Sequence, residues 1–248
     1  VNRPARRNNL RSNPPGSFPT QALIAYWPGN EASGNLLDAH TNGLDLTDTG
    51  TVTNNTGNIY PTARQYDRDN HEYFTRDDED LLSFGDTDWT LAAWVYLDNK
   101  DNGQFFVSKD GNASNKREVQ LCYVKTPTDR FKAWVFTGSA DAGNVAANNL
   151  GSPSAGTWYF IVLWHDPTAN TLNIQVNNGA IDSAATTAAM GDGTAAFRIG
   201  SIVAWSVYDM DGRIGPVGFW KSAAGGGGIL TPAQRAWLYN NGAGRRFP

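Results

Sequence analysis

A chain of 248 residues can bury a full core, and an all-β fold of this length can form one domain. Gly 26 and Pro 12 suit a protein of many strands and turns, and the single Cys122 excludes an internal disulfide framework. No apolar run reaches the roughly 18 residues of a membrane helix, and the N-terminal residues lack the apolar centre of a secretory signal.

The net charge of −4 is unevenly spread. Residues 1–20 carry Arg3, Arg6, Arg7 and Arg11 and no acid; removing those four leaves sixteen basic residues against 24 acidic, a balance of −8. Pro4, Pro14, Pro15 and Pro19 lie in the same stretch, whose main apolar side chains are Leu10 and Phe18. Such a segment cannot form a core by itself. It reads as an extended arm that binds a partner through Arg3, Arg6, Arg7, Arg11 and Phe18, on an acidic surface such as a neighbouring copy of the chain.

The domain proper, residues 21–248, begins with a strand over 22–27 and a turn at Trp27-Pro28-Gly29-Asn30. Residues 35–46 hold short apolar pieces between polar turns. Strands over 63–66 and 72–74 flank Asp67-Arg68-Asp69-Asn70, and the acidic run Asp77-Asp78-Glu79-Asp80 faces water. Residues 89–97 form the clearest strand. Trp89, Leu91, Ala93, Val95 and Leu97 line one face and Thr90, Ala92, Trp94 and Tyr96 the other, so the strand sits centrally between two layers.

Strands over 104–109, 118–124 and 131–137 follow, the second burying the thiol of Cys122. Residues 138–156 read as a small-residue loop, 157–164 as a second central strand, and 172–177 as a half-buried one. Asn178-Gly179 signals a hairpin. After strands over 197–200 and 212–220 and a glycine-rich loop at 223–228, Thr231 caps a short helix. Pro232 occupies its first turn, Gln234 completes a capping box, and Gly242 is placed to end it in a left-handed conformation. About a dozen short strands with regularly spaced turns predict an all-β, two-sheet antiparallel sandwich with one short C-terminal helix.

The motifs Leu23-Ile24-Ala25-Tyr26-Trp27-Pro28, Asp38 to Leu46, Asp86-Thr87-Asp88-Trp89-Thr90-Leu91-Ala92-Ala93-Trp94-Val95, Gly156-Thr157-Trp158-Tyr159 and Val176-Asn177-Asn178-Gly179 come in a telling order. Arg198-Ile199-Gly200, Gly212-Arg213-Ile214-Gly215-Pro216-Val217-Gly218-Phe219-Trp220 and Leu238-Tyr239-Asn240-Asn241-Gly242 complete it. Together they resemble the laminin G-like domains of the concanavalin A-like lectin/glucanase superfamily, across roughly residues 21–244. The resemblance implies a jelly roll of two curved sheets. The closing stretch also resembles accessory virion proteins of tailed bacteriophages, which implies a decoration or adhesion role on a capsid or tail.

Function has to be argued from side chains, because this fold hosts many activities. The superfamily's hydrolases place their carboxylates on one strand face, and no such alternating acidic run occurs here. Asp86-Thr87-Asp88 and Asp209-Met210-Asp211 come nearest, and both read as turns. His40, His71 and His165 have no zinc spacing. The family's calcium site opens its last long strand with an Asp, where this chain has Ile214-Gly215-Pro216-Val217. Asp38, Asp45 and Asp211 are the carboxylates that could still serve calcium, but turn formation accounts for them, and no cofactor is expected. Trp205 and Tyr208, at the sheet rim, are the candidate ligand-binding residues, since a sugar's C–H face packs on an aromatic ring.

The resulting expectation is a non-catalytic structural or adhesion protein. It is anchored by its arm in a larger assembly or homo-oligomer, displayed on a virion surface, and able to touch cell-surface glycans. Neither nucleic acid nor membrane insertion is expected. A secreted carbohydrate-binding module and a glycoside hydrolase of the same superfamily are the alternatives.

Overall fold

A computed structural model describes residues 16–248. Arg3, Arg6, Arg7 and Arg11 lie outside the described residues. In chain order the strands are β1 (Leu23–Trp27), β2 (Thr47–Thr49), β3 (Thr53–Thr56), β4 (Thr62–Tyr66), β5 (Tyr73–Arg76), β6 (Asp88–Leu97), β7 (Gln104–Asp110) and β8 (Arg117–Val124). They continue as β9 (Arg130–Gly138), β10 (Asp141–Ala146), β11 (Trp158–Asp166), β12 (Thr171–Val176), β13 (Ile181–Ala185), β14 (Phe197–Ile199) and β15 (Gly212–Ser222), and helix α1 spans Pro232–Tyr239. Eight strands form one sheet in the order β13-β12-β11-β6-β15-β4-β3, with β1 also paired to β15. Seven form the other, β10-β9-β8-β7-β14-β5-β2. The sandwich expected from the turn spacing is the fold observed.

Strand β6 has the predicted two-faced character. Trp89, Leu91, Ala93, Val95 and Leu97 are buried in the core between the sheets. Ala92 and Trp94 point the other way, into a second core on the outer face of the eight-stranded sheet. There they join Phe160, Val162, Trp164, Tyr26 and Trp220, and α1 covers the cluster with Leu238. The helix docks through a buried arginine as well as apolar contact. Arg235 lies over the Trp164 ring at 4.3 Å and donates from Nε to Gln175 Oε1 at 2.8 Å. At its start Thr231 and Gln234 make the predicted capping box, an arrangement in which the cap alone contributes about 1 kcal/mol.

The end of the helix differs from expectation. The left-handed cap is Asn240, with φ 47°, whose N–H reaches Ala236 O. Its own amide donates to Gly244 O at 2.9 Å, the local bonding that lets Asn adopt this conformation. Gly242 lies beyond the helix in the turn that follows. Residues 138–156 also depart from a plain loop, because they contain the edge strand β10. Gly143 there lies so close to the end of β13 that a Cβ would sit 3.3 Å from Ala185 O. The small side chains permit this close approach.

Phe18 is not the partner contact its place in the arm suggested. It is 4% exposed and belongs to the second core, edge-on to Tyr26 at 5.1 Å and to Phe247 at 5.0 Å. Next to it, Pro19 O accepts from Trp220 Nε1 at 2.6 Å. The aromatic outer face of the sheet offered Phe18 more apolar contact than an exposed arm could, so the domain's packing begins before residue 21. Truncation of this ring, Phe18→Ala, is expected to cost about 3 kcal/mol, read as a lower urea midpoint. A midpoint equal to the parent's would place Phe18 outside the core.

Candidate functional site

Among the described residues the outer face of the seven-stranded sheet carries no α-helix. β7, β8 and the segment after β14 contribute a small buried cluster of Phe105, Cys122 and Ile202, with Val124 and Trp134 packed against it. A bulge in β7 between Phe105 and Val107 creates this arrangement. Phe105 stays on the outer face, while Phe106 and Val107 both turn into the inter-sheet core.

Over the cluster runs the segment from Ser201 to Asp209, with a 3-10 turn at Ser206–Tyr208. Trp205 and Tyr208, 36% and 38% exposed, wall a cavity of about 330 Å³ whose lining includes Trp134, Asn102, Gln120 and Lys125. The two aromatics singled out from the sequence therefore share one concave site. Tyr208 meets Phe105 edge-on at 6.4 Å. Gly103 leaves room for that ring, since a Cβ there would stand 3.4 Å from Tyr208 Cδ1.

Three anchors hold the wall. Tyr208 N donates to Trp205 O at 3.0 Å, and Asn102 Nδ2 to Val207 O at 3.3 Å. Asp209, 1% exposed, accepts from Ser201 Oγ at 2.6 Å and lies 3.3 Å from His71 Nδ1. Burial raises the Asp209 carboxyl above the usual aspartate range, with the Ser201 and His71 bonds opposing that shift. Asp209 thus holds the loop by its hydrogen bonds.

The floor is set by the turn after β8. Tyr123 Oη donates to Asp129 Oδ1 at 2.6 Å, Lys100 Nζ lies 2.8 Å from the same oxygen, and Ser152 Oγ donates to Oδ2 at 2.5 Å. Hydrogen bonds from Lys100, Ser152 and Tyr123 hold the Asp129 carboxyl well below the usual range. Gln120 is fixed through Nε2, which donates to Asp110 Oδ2 at 2.6 Å. Asn102, Gln120, Lys125 and Thr126 supply the polar part of the lining, which contains no carboxylate. Ring faces beside a few fixed polar groups can stack on an apolar face and bond to hydroxyls around it.

The calcium candidates do not converge on one site. Asp38 accepts from the amides of Tyr26, His40 and Leu44, and its own amide donates to Asp45 Oδ1 at 2.8 Å. Asp211 instead accepts from Asn99 and lies 3.5 Å from Arg68. Among the described residues no three His, Cys, Asp or Glu side chains are grouped to hold a metal. At Gly215 a Cβ would meet Trp94, Asn58 and Trp158, at 3.3 to 3.5 Å. The acidic run is only partly solvent-facing, because Asp78 pairs with the buried Lys109 at 2.6 Å.

Trp134, Phe105, Gln120, Asn102 and Lys125 were missed as site residues. The detectable signal was in β9, where Lys132 and Trp134 alternate with the buried Phe131, Ala133 and Val135. An aromatic on the outward face of a strand marks something to be covered or bound.

A two-sheet antiparallel sandwich closed by one short C-terminal helix is a concanavalin A-like fold. The sequence profile of a laminin G-type family in the concanavalin A-like lectin/glucanases superfamily matches residues 68–227, more than half of the chain, and the chain belongs to that superfamily. No curated sequence matches closely enough to count as a relative. Among solved structures, it is similar to domain 4 of AbnA, a GH43 extracellular arabinanase from Geobacillus stearothermophilus, in complex with arabinotriose. That match has 16% identity and a TM-score of 0.62 over 90% of this chain and 98% of that one. The binding domain of Paraclostridial Mosquitocidal Protein 1 gives 13% identity and a TM-score of 0.64, over 88% of this chain and 52% of that one. Trypanosoma rangeli sialidase in complex with the inhibitor DANA gives 13% and 0.61, over 92% and 34%. The chain thus spans about half of the mosquitocidal protein's binding domain and a third of the sialidase. At these identities the likeness is one of fold.

The Asp129 anchor makes a pH-dependent prediction. Its folded-state carboxyl titrates below its unfolded value, so its stabilisation is complete above about pH 4 and lost as pH falls through the lower folded value. The melting-temperature gap between parent and Asp129→Asn should be constant near neutrality and narrow as pH drops from about 4 toward 2. A gap that stayed constant down to pH 2 would assign the loss to packing rather than to charge.

Proposed function

We propose that the protein is a non-catalytic glycan-binding domain whose site is the cavity between Trp205, Tyr208 and Trp134. The observation that carries this reading is the convergence of three part-exposed aromatic rings on one pocket beside two amide side chains held by hydrogen bonds. A saccharide stacks its C–H face on such rings and directs its hydroxyls to Asn102, Gln120 and Thr126. The arabinotriose complex of a similarly folded domain supports the same class of ligand. Binding without hydrolysis is supported by the lining, which offers neither of the two carboxyl groups that glycoside cleavage ordinarily needs.

For the cellular setting we propose a structural or adhesion role on a virion surface, with the basic segment holding the domain to an assembly through Arg3, Arg6, Arg7 and Arg11. The resemblance of the closing stretch to phage accessory proteins and the charge contrast between segment and body support it. A secreted carbohydrate-binding module is the second reading, favoured by the near-complete coverage of an arabinanase domain.

Two measurements test these readings. On an array of neutral and acidic glycans the parent should bind a defined set, and Trp205→Ala or Tyr208→Ala should weaken each hit at least about tenfold, as for an interface anchor. Hits unaffected by both substitutions would remove the pocket from the reading. Deletion of residues 1–15, which spares the buried Phe18, should abolish association with the native assembly and leave sugar binding intact. Full retention in the particle would end the anchoring role.

A further inference from the structure

The chain is acidic overall, yet among the described residues the one charged side chain lining its aromatic pocket is a lysine. Lys125 lines the cavity and is exposed. Its ammonium donates to the main-chain oxygen of Asp101 at 2.5 Å, so that contact does not neutralise it. Lys132 lies on the same outer sheet face, opposite Cys122 in the β8–β9 register, with its Nζ 4.3 Å from the centroid of the Trp134 ring. Among the described residues neither lysine forms an ion pair.

Of the aspartates around the site, Asp101 beside Lys125 is exposed to solvent, and the other two are engaged elsewhere. Asp129 is taken by Lys100, Ser152 and Tyr123, and Asp110, behind Gln120, is paired with Arg117 at 3.1 Å. Lys100, beside the same floor, shows the contrast, since its charge is matched by Asp129 at 2.8 Å. Two ammonium groups without an ion pair among the described residues, beside a carboxylate-free lining, offer an anionic group contacts that a neutral sugar would not use.

We infer that the pocket selects an acidic saccharide, one bearing a carboxylate or sulfate group. The ring stacks on the aromatic wall and the anionic group lies against Lys125, with Lys132 adding to the field. This rests on the glycan-binding reading and specifies its ligand class. A charge-assisted bond to Lys125 is directional, whereas the Lys132 contribution is screened by salt.

The test uses the full chain. After the glycan array, calorimetry compares an oligogalacturonate with its methyl ester, and a sulfated galactan oligosaccharide with its desulfated form. At least one charged probe should bind about tenfold tighter than its neutral counterpart, a margin that two exposed charge contacts can supply. The margin should shrink with added NaCl. It should disappear in Lys125→Met combined with Lys132→Met, which should melt with the parent. Which charged probe wins assigns the group as carboxylate or sulfate. Array hits confined to neutral glycans, or equal affinity within each pair, with binding still lost in Trp205→Ala, would overturn the acidic ligand and leave the glycan site standing. No hits at all, or hits indifferent to Trp205→Ala and Tyr208→Ala, would overturn the site itself and this inference with it.

Discussion

Strand β6 is apolar on both faces, and most of the architecture follows from that constraint. A strand with Trp89 and Leu91 on one side and Ala92 and Trp94 on the other cannot lie in a sheet with a solvated face. The inter-sheet core covers one side. The other needs material from both ends of the chain, namely Phe18, Leu230, Leu238 and Phe247. The C-terminal helix is therefore part of the hydrophobic solution. Its buried Arg235 on Trp164 shows how far the covering extends. With one outer face sealed, the outer face of the seven-stranded sheet carries the exposed aromatic pocket.

The neighbouring strand β15 explains how a proline sits in the middle of a sheet. Along one edge it pairs with β6 throughout, with a bulge between Ile214 and Val217. Along the other it pairs with β4 as far as Ile214 and with β1 from Val217 onward. Gly215 and Pro216 fall where one partner strand hands over to the next, the place where a missing N–H breaks no ladder. The same pair replaces the carboxylate expected from the family pattern, with the Gly215 backbone packed near Trp94 and Trp158. One local substitution of sequence thus serves both strand exchange and close aromatic packing.

Much of the fold was legible because its signals are short-range. The alternation in β6, the Asn178-Gly179 turn and the Thr231-to-Gln234 cap each depend on a few adjacent residues, and each appears where the pattern put it. What stayed hidden depends on partners far along the chain. Phe18 reads as part of a polar arm until Trp220 and Phe247 are brought beside it. The small residues of β10 look like a loop because an edge strand pressed against β13 needs small side chains. In the site, Trp205 and Tyr208 were visible as rim aromatics. Phe105 was not, because strict alternation would place it with Val107, and the bulge separates them.

The two outer faces of the sandwich are covered differently. Gly16 lies by Trp237, on the helix-covered side of the sandwich, a Cβ there falling 4.0 Å from Trp237 Nε1. The Trp205 pocket opens on the outer face of the other sheet. The described chain thus begins on one outer face of the sandwich and the aromatic pocket lies on the other. That disposition leaves the pocket clear of the helix and of the chain ends packed around it. A pocket open to solvent keeps neighbouring charges partly screened, so contacts made there are reversible and depend on salt.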